Sequence, residues 1–234
     1  LVKFVAYRIG DTRIVRLIQK WLKVGVLEDG VWIASEEGTP QGAVISPLLA
    51  NIYLHYVYDL WANQWRQRHA TGNVIFVRYA DDTVAGFEHR HDAERFLADL
   101  RQRLAQFALA LHPEKTRLIE FGRHAAEHRA GRGDGKPDTF DFLGFTHICG
   151  RTRDGKGFQL WRKTARKRMK ARIRAIKDEL RRRMHTPQAE QGKWLGSVVR
   201  GFFAYHAVPN NFASISAFRY HVVVAWVRTL RRRS

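Results

Sequence analysis

Apolar positions recur along this chain at two different periods. In residues 11–23, DTRIVRLIQKWLK, the residues Ile14, Leu17, Ile18, Trp21 and Leu22 fall at helical spacing, which marks one buried helix face. Gly25 and Gly30 then punctuate a short extended segment around VWIAS. After GTPQG, an apolar stretch from about Ser46 to Trp65 predicts a long helix, with Ser46 as N-cap and Pro47 in the first turn. Residues 73–79 and 83–88 are rich in apolar and β-branched side chains and predict two strands joined by a tight turn at Asp81-Asp82. Phe96, Leu97, Leu100, Leu104 and Phe107 then mark a helix face. KTRLIEFG (115–122) predicts a strand, the polar, glycine-rich 123–138 a loop, and FDFLGFTHICG with GFQLWR a further strand pair.

From residue 163 the pattern changes. Met169, Ile173, Ile176, Leu180 and Met184 form an apolar stripe, with Arg and Lys over the rest of the helix. Two more helices follow at about 190–206 and 211–230, broken at VPNN. Trp194, Phe202, Phe203, Tyr205 and Trp226 sit at helical intervals there and read as core rather than as base-stacking platforms. The chain thus divides into a mixed segment (1–150), a connector (151–162) and a helical segment (163–234). The fold class is α+β: an antiparallel sheet backed by helices, then three basic helices.

Charge sharpens that division. The net charge is +19, and it is not spread evenly. Residues 1–150 carry 19 Lys and Arg against 18 Asp and Glu, whereas residues 151–234 carry 22 against 4. A nearly neutral body joined to a strongly basic piece points to a polyanionic partner. No run of eighteen apolar residues is present, so no helical membrane span is expected. A single cysteine, Cys149, excludes an internal disulfide framework and fits a cytoplasmic location.

The stretch VIFVRYADDTVAGF places Asp81 and Asp82 side by side in an apolar run. Two buried adjacent carboxylates are unfavourable unless a cation neutralises them. Hard divalent ions such as Mg²⁺ take oxygen ligands and complete their shell with substrate phosphates. An ordinary turn would also use aspartate. Two decoys carry less: HAAEH (124–128) has zinc-helix spacing with no evident third ligand, and GRGDGKP has no Ser or Thr after Lys136.

Flanking motifs decide between these readings. Gly38, Pro40, Gln41 and Gly42, followed by Ser46-Pro47-Leu48, lie upstream of Tyr79-Ala80-Asp81-Asp82; LALHPEKTRLIEF with Lys115 and then Phe142-Leu143-Gly144-Phe145 lie downstream. In order and spacing the chain resembles the reverse transcriptases encoded by bacterial group II introns, and its basic tail is similar to their thumb, or maturase domain X. The resemblance implies a polymerase palm in which Asp81 and Asp82 hold Mg²⁺ in a two-metal site, with Lys115 offsetting charge on the departing pyrophosphate. It also implies that the GTPQG glycines and Gln41 contact nucleotide or template, and that Phe142, Leu143 and Gly144 belong to a primer grip. Arg166, Lys167, Lys170 and Arg174 would follow a phosphate backbone. A solvated lysine and plain core packing remain the alternatives for Lys115 and for Phe142, Leu143 and Phe145.

The family's third catalytic aspartate and its fingers precede the matching segment, so the sequence reads as a middle portion, expected to be inactive alone. The implied partners are intron RNA as template, a DNA primer or target, and dNTPs. Two rivals share these features: a non-catalytic RNA-binding maturase, and a related bacterial retroelement reverse transcriptase.

Overall fold

The computed structural model describes residues 1–23 and 45–232, together with the backbone of two short strands at 26–28 and 31–33. Contacts group the chain into two compact units, Leu1–Leu118 and Ile119–Ser234.

The first unit opens with helices α1 (Val2–Arg8) and α2 (Thr12–Lys23). Asp11 starts α2 by accepting the Arg13 backbone N–H at 2.8 Å, a side-chain cap for an otherwise unpaired donor. An antiparallel pair, β1 (Val26–Glu28) and β2 (Val31–Ile33), follows. The expected long helix is present, but Ile45 takes the N-cap position and Ser46 is already helical. Pro47 falls within the first turn, where its missing N–H leaves no hydrogen bond unmade. This helix, α3 (Ser46–Leu54), passes through a π-helical turn at His55–Asp59 into α4 (Leu60–His69).

Strands β3 (Val74–Tyr79) and β4 (Asp82–Phe87) pair antiparallel, and α5 (Arg90–Ala105) packs beside them. Val57, Tyr58, Trp65, Phe96, Leu100 and Leu104 form the core. The Phe96 ring stands edge-on to Trp65 at 5.0 Å and stacks on Phe76 at 4.9 Å. Beneath the loop before β3, Asp92 is 1% exposed and accepts the backbone N–H groups of Thr71 and Gly72 and the Thr71 hydroxyl. Burial opposes its ionisation, but these three donors outweigh it and hold the carboxyl below its ordinary range.

Two expectations for the middle of the chain are corrected. KTRLIEFG is not a strand: residues 113–115 form a turn, closed by the Thr116 N–H on the His112 carbonyl at 3.0 Å. Pro113 favours that turn, and no described strand pairs with 116–121. Residues 123–138 are not simply loop, because they hold α6 (Ala125–Arg132). Paired alanines favour helix there, and Gly133 ends it in the left-handed conformation at φ 74°. Arg129 pairs with Asp138, and Arg132 with both Glu120 and Asp134.

The second unit continues with a meander, β5 (Phe140–Phe142), β6 (Phe145–Arg151) and β7 (Phe158–Thr164), all antiparallel. Helices α7 (Arg166–Arg182), α8 (Gln188–His206) and α9 (Phe212–Arg231) complete it. Ile176, Leu180, Leu195, Phe202, Phe218 and Val222 form their core, with the Phe202 and Phe218 rings stacked at 3.6 Å. Trp194, Phe203 and Trp226 pack against it as expected. Tyr205 does not, being 54% exposed. Buried Asn211 ties the helices to the meander, accepting the Thr164 N–H and donating to the Thr164 hydroxyl and the His206 carbonyl. No described helix is long and apolar enough to cross a membrane.

Candidate functional site

The β3–β4 register runs from Val74 opposite Phe87 to Tyr79 opposite Asp82. Ala80 and Asp81 are therefore the two turn residues, and the turn sits one residue earlier than the sequence predicts. Ala80 adopts φ +53°, a left-handed conformation that an L-residue holds only at a cost of about 1–2 kcal/mol. Such strain persists where surrounding contacts enforce it.

Those contacts come from Arg78. Its guanidinium donates to both carboxylate oxygens of Asp59 at 2.7 and 2.6 Å, to Asn51 Oδ1 at 2.8 Å, and to the Ala80 carbonyl at 2.8 Å. One side chain thus ties the turn to α3 and to the π-helical turn. The bond to Asp59 raises the already high Arg78 pKa, so the clamp stays charged. The π turn carries both His55, at 3.5 Å from Asp59, and Asp59 itself. An open cavity of about 510 Å³ lies here, lined in part by Phe4, Asn51, Tyr56, Asp59 and Arg78.

Asp81 and Asp82 are both exposed. The burial penalty anticipated from their apolar neighbours does not arise, because alternation sends Phe76 to the core while the hairpin tip meets solvent. Neither carboxylate has a hydrogen-bond or ion-pair partner among the described residues. Two adjacent, unpaired carboxylates offer oxygen donors only, the set that suits Mg²⁺. No third His, Cys, Asp or Glu joins them in a metal-sized group among the described residues. Tyr79 precedes them, 64% exposed.

The other candidate residues are more scattered. Lys115 is exposed in the 113–115 turn of the first unit, and no hydrogen bond joins it to the hairpin. Gly38, Pro40, Gln41 and Gly42 lie outside the described residues. Phe142, Leu143 and Gly144 belong to the second unit, where Leu143 (φ 49°) and Gly144 (φ 79°) make the β5–β6 turn. Two left-handed residues in a two-residue hairpin match the right-handed twist of its strands. Tyr205 donates its hydroxyl to the Leu143 carbonyl at 2.8 Å and stacks on Phe145 at 5.6 Å. Arg166, Lys167, Lys170 and Arg174 are exposed on α7 with no acidic partner among the described residues. Arg181, Arg182 and Arg183, further along, all pair with Asp178 or Glu179.

Residues 3–147, which contain the hairpin, match the reverse transcriptase (RNA-dependent DNA polymerase) family. The chain belongs to the reverse transcriptase family. Among its relatives, Protein YkfC of Escherichia coli is 37% identical over 112 residues, covering 36% of this chain and 29% of the relative. The group II intron-encoded protein LtrA of Lactococcus lactis is 47% identical over 55 residues, covering 24% of this chain and 9% of LtrA. An uncharacterized 91 kDa protein in cob intron of Schizosaccharomyces pombe is 40% identical over 63 residues, covering 27% and 8%. The chain thus spans less than a third of each of these relatives. LtrA is of the intron-encoded type that the sequence motifs indicated. The family match runs from within α1 into β6 and stops before α7.

Arg78, Asp59 and Asn51 are the residues at the hairpin that sequence reasoning missed, whereas Tyr205, expected in the core, lies exposed in the second unit. The available signal was a lone cation in an apolar strand and a lone acid in the apolar helix YLHYVYDLW. Partly shielded charges of opposite sign need each other.

Proposed function

We propose that this chain carries part of the polymerase centre and the nucleic-acid-holding helices of a group II intron-type, RNA-directed DNA polymerase. The observation that carries this reading is the unpaired Asp81-Asp82 pair on a strained, clamped hairpin inside the family-matched segment. Asp81 and Asp82 would hold Mg²⁺, which supplies charge neutralisation at the phosphates and lowers the pKa of the attacking hydroxyl. Arg78 and Asp59 fix the direction of the hairpin tip. A primer 3′-hydroxyl attacks the α-phosphate of a dNTP, its oxygen forming the new P–O bond as pyrophosphate leaves with the electrons of the old one. Lys115 is assigned to the pyrophosphate side.

The functional parts are residues 1–150 as palm, 151–162 as connector and 163–234 as thumb, a division that follows role rather than the compact units. Arg166, Lys167, Lys170 and Arg174, unpaired among the described residues, support binding of template–primer duplex and of intron RNA through the phosphate backbone, without base readout. They also favour the second reading, a maturase role in intron splicing that needs no chemistry at the hairpin.

Primer extension on an RNA template separates the two readings. In the protein that carries this sequence, Asp81→Ala or Asp82→Ala is expected to reduce Mg²⁺-dependent dNTP incorporation by at least about 100-fold, with RNA binding unchanged. Incorporation that survives both substitutions would sink the polymerase assignment. Splicing that persists in both variants would support the maturase role.

A further inference from the structure

Helix α7 packs closely along α9 but makes few contacts with α8, and an open groove of about 460 Å³ lies between α7 and α8. Arg168 and Arg172 stand on its α7 side, one helical turn apart and so about 5–6 Å from each other. Both are exposed, and neither has an acidic partner among the described residues. Unpaired guanidiniums are the side chains best shaped to hold phosphates in pairs of hydrogen bonds. Ala171 and Gly201 keep the space between the helices open, and Phe202, seated on Phe218, gives it an apolar base.

The α8 side contributes Tyr205 and His206. Tyr205 is the aromatic residue that departs from the core. Its hydroxyl is held by Leu143 and its ring by Phe145, yet half its surface is open. An aromatic ring fixed in position binds a base with little loss of conformational freedom. Burial keeps the His206 pKa below its ordinary value, so the groove's charge at neutral pH rests on the arginines. Cations on one wall, a fixed ring on the other and an apolar base form the combination that receives single-stranded nucleic acid.

This groove is separate from the surface assigned above to duplex. At 3.6 residues per turn, Arg168 and Arg172 lie about 180° around α7 from the Arg166, Lys170 and Arg174 stripe, with Lys167 at the near edge of that stripe. A duplex lying along that stripe faces the other side of the helix from them. We propose that the α7–α8 groove is a binding site for a single nucleic-acid strand, its phosphates on Arg168 and Arg172 and a base on Tyr205.

Gly201 provides a clean test, since a Cβ placed there meets nothing within 4 Å. Gly201→Glu therefore adds volume and negative charge to the groove without touching the core. Fluorescence anisotropy on the full chain would use a labelled single-stranded RNA, a DNA of the same sequence, and an RNA–DNA duplex. Gly201→Glu and the double variant Arg168→Glu/Arg172→Glu are each expected to weaken single-strand binding about tenfold or more, with duplex affinity within about twofold. Tyr205→Ala should lose single-strand affinity that Tyr205→Phe retains, because the ring and not the hydroxyl meets the base. Lys170→Glu/Arg174→Glu should show the reverse preference between the ligands. Single-strand affinity unchanged by Gly201→Glu and by the arginine pair overturns the proposal. So does equal loss of both ligands in all these charge variants, which would mean attraction by net charge alone. Absence of duplex binding by the unaltered chain would count against the stripe and leave the groove's test intact.

Discussion

A guanidinium that makes four hydrogen bonds at the base of a hairpin sets where the hairpin tip points. Arg78 is 14% exposed at its side chain and Asp59 33%, so the pair is shielded enough to matter but not wholly desolvated. Arg78→Ala should lower unfolding free energy by about 2 kcal/mol, seen as a shift of the urea midpoint. Arg78→Lys should recover little of it, since an ammonium cannot reproduce the two-pronged contact with Asp59. At this scale the sequence was half legible. Asp81-Asp82 announces itself, because two acids in a β-branched run have few uses. Arg78 does not, because its partners are 19 and 27 residues away and no periodicity links them. The expected burial of the aspartates failed for a related reason: hydropathy of neighbours says nothing about which residues fall at a tip.

Elements follow the pattern where the pattern is long. The helices at 46–69, 90–105 and 166–231 and the hairpin at 74–87 could be read from periodicity, because each buries a face wide enough to repeat. The misreadings fall on short stretches. KTRLIEFG has strand composition but no pairing neighbour, and α6 is two turns of helix amid glycines. The π turn left no trace in the sequence, since one extra residue per turn shifts an apolar stripe without erasing it. The loop joining α4 to β3 depends on Asp92, and this gives a pH signature. Its carboxyl titrates lower folded than unfolded, so its contribution is present at neutral pH. That contribution is lost as pH falls from the ordinary carboxylate pKa of about 4 through the lower folded value. Stability measured by urea at pH 7 and pH 3 should fall for the parent protein. Asp92→Ala should be weaker at pH 7 and lose less on acidification.

For the whole molecule, composition conveyed more than pattern. The contrast between an almost neutral first 150 residues and a basic remainder pointed to nucleic acid before any motif was considered. The contact units, by contrast, were not legible, because compactness depends on which side chains meet rather than on where charge begins. Seven cations from Arg166 to Lys177 share one helix, and none of them pairs with an acid among the described residues, since Asp178 and Glu179 are taken by Arg181, Arg182 and Arg183. That arrangement holds an electrostatic repulsion that only a bound polyanion or dissolved salt can relieve. Added salt should therefore act in opposite directions on two measurements. Between 50 and 500 mM KCl the melting temperature of the ligand-free protein is expected to rise while its affinity for RNA falls. A melting temperature that drops with salt would show that the repulsion is already answered within the fold. In storage, such a chain keeps best either in high salt or with a nucleic acid already in place.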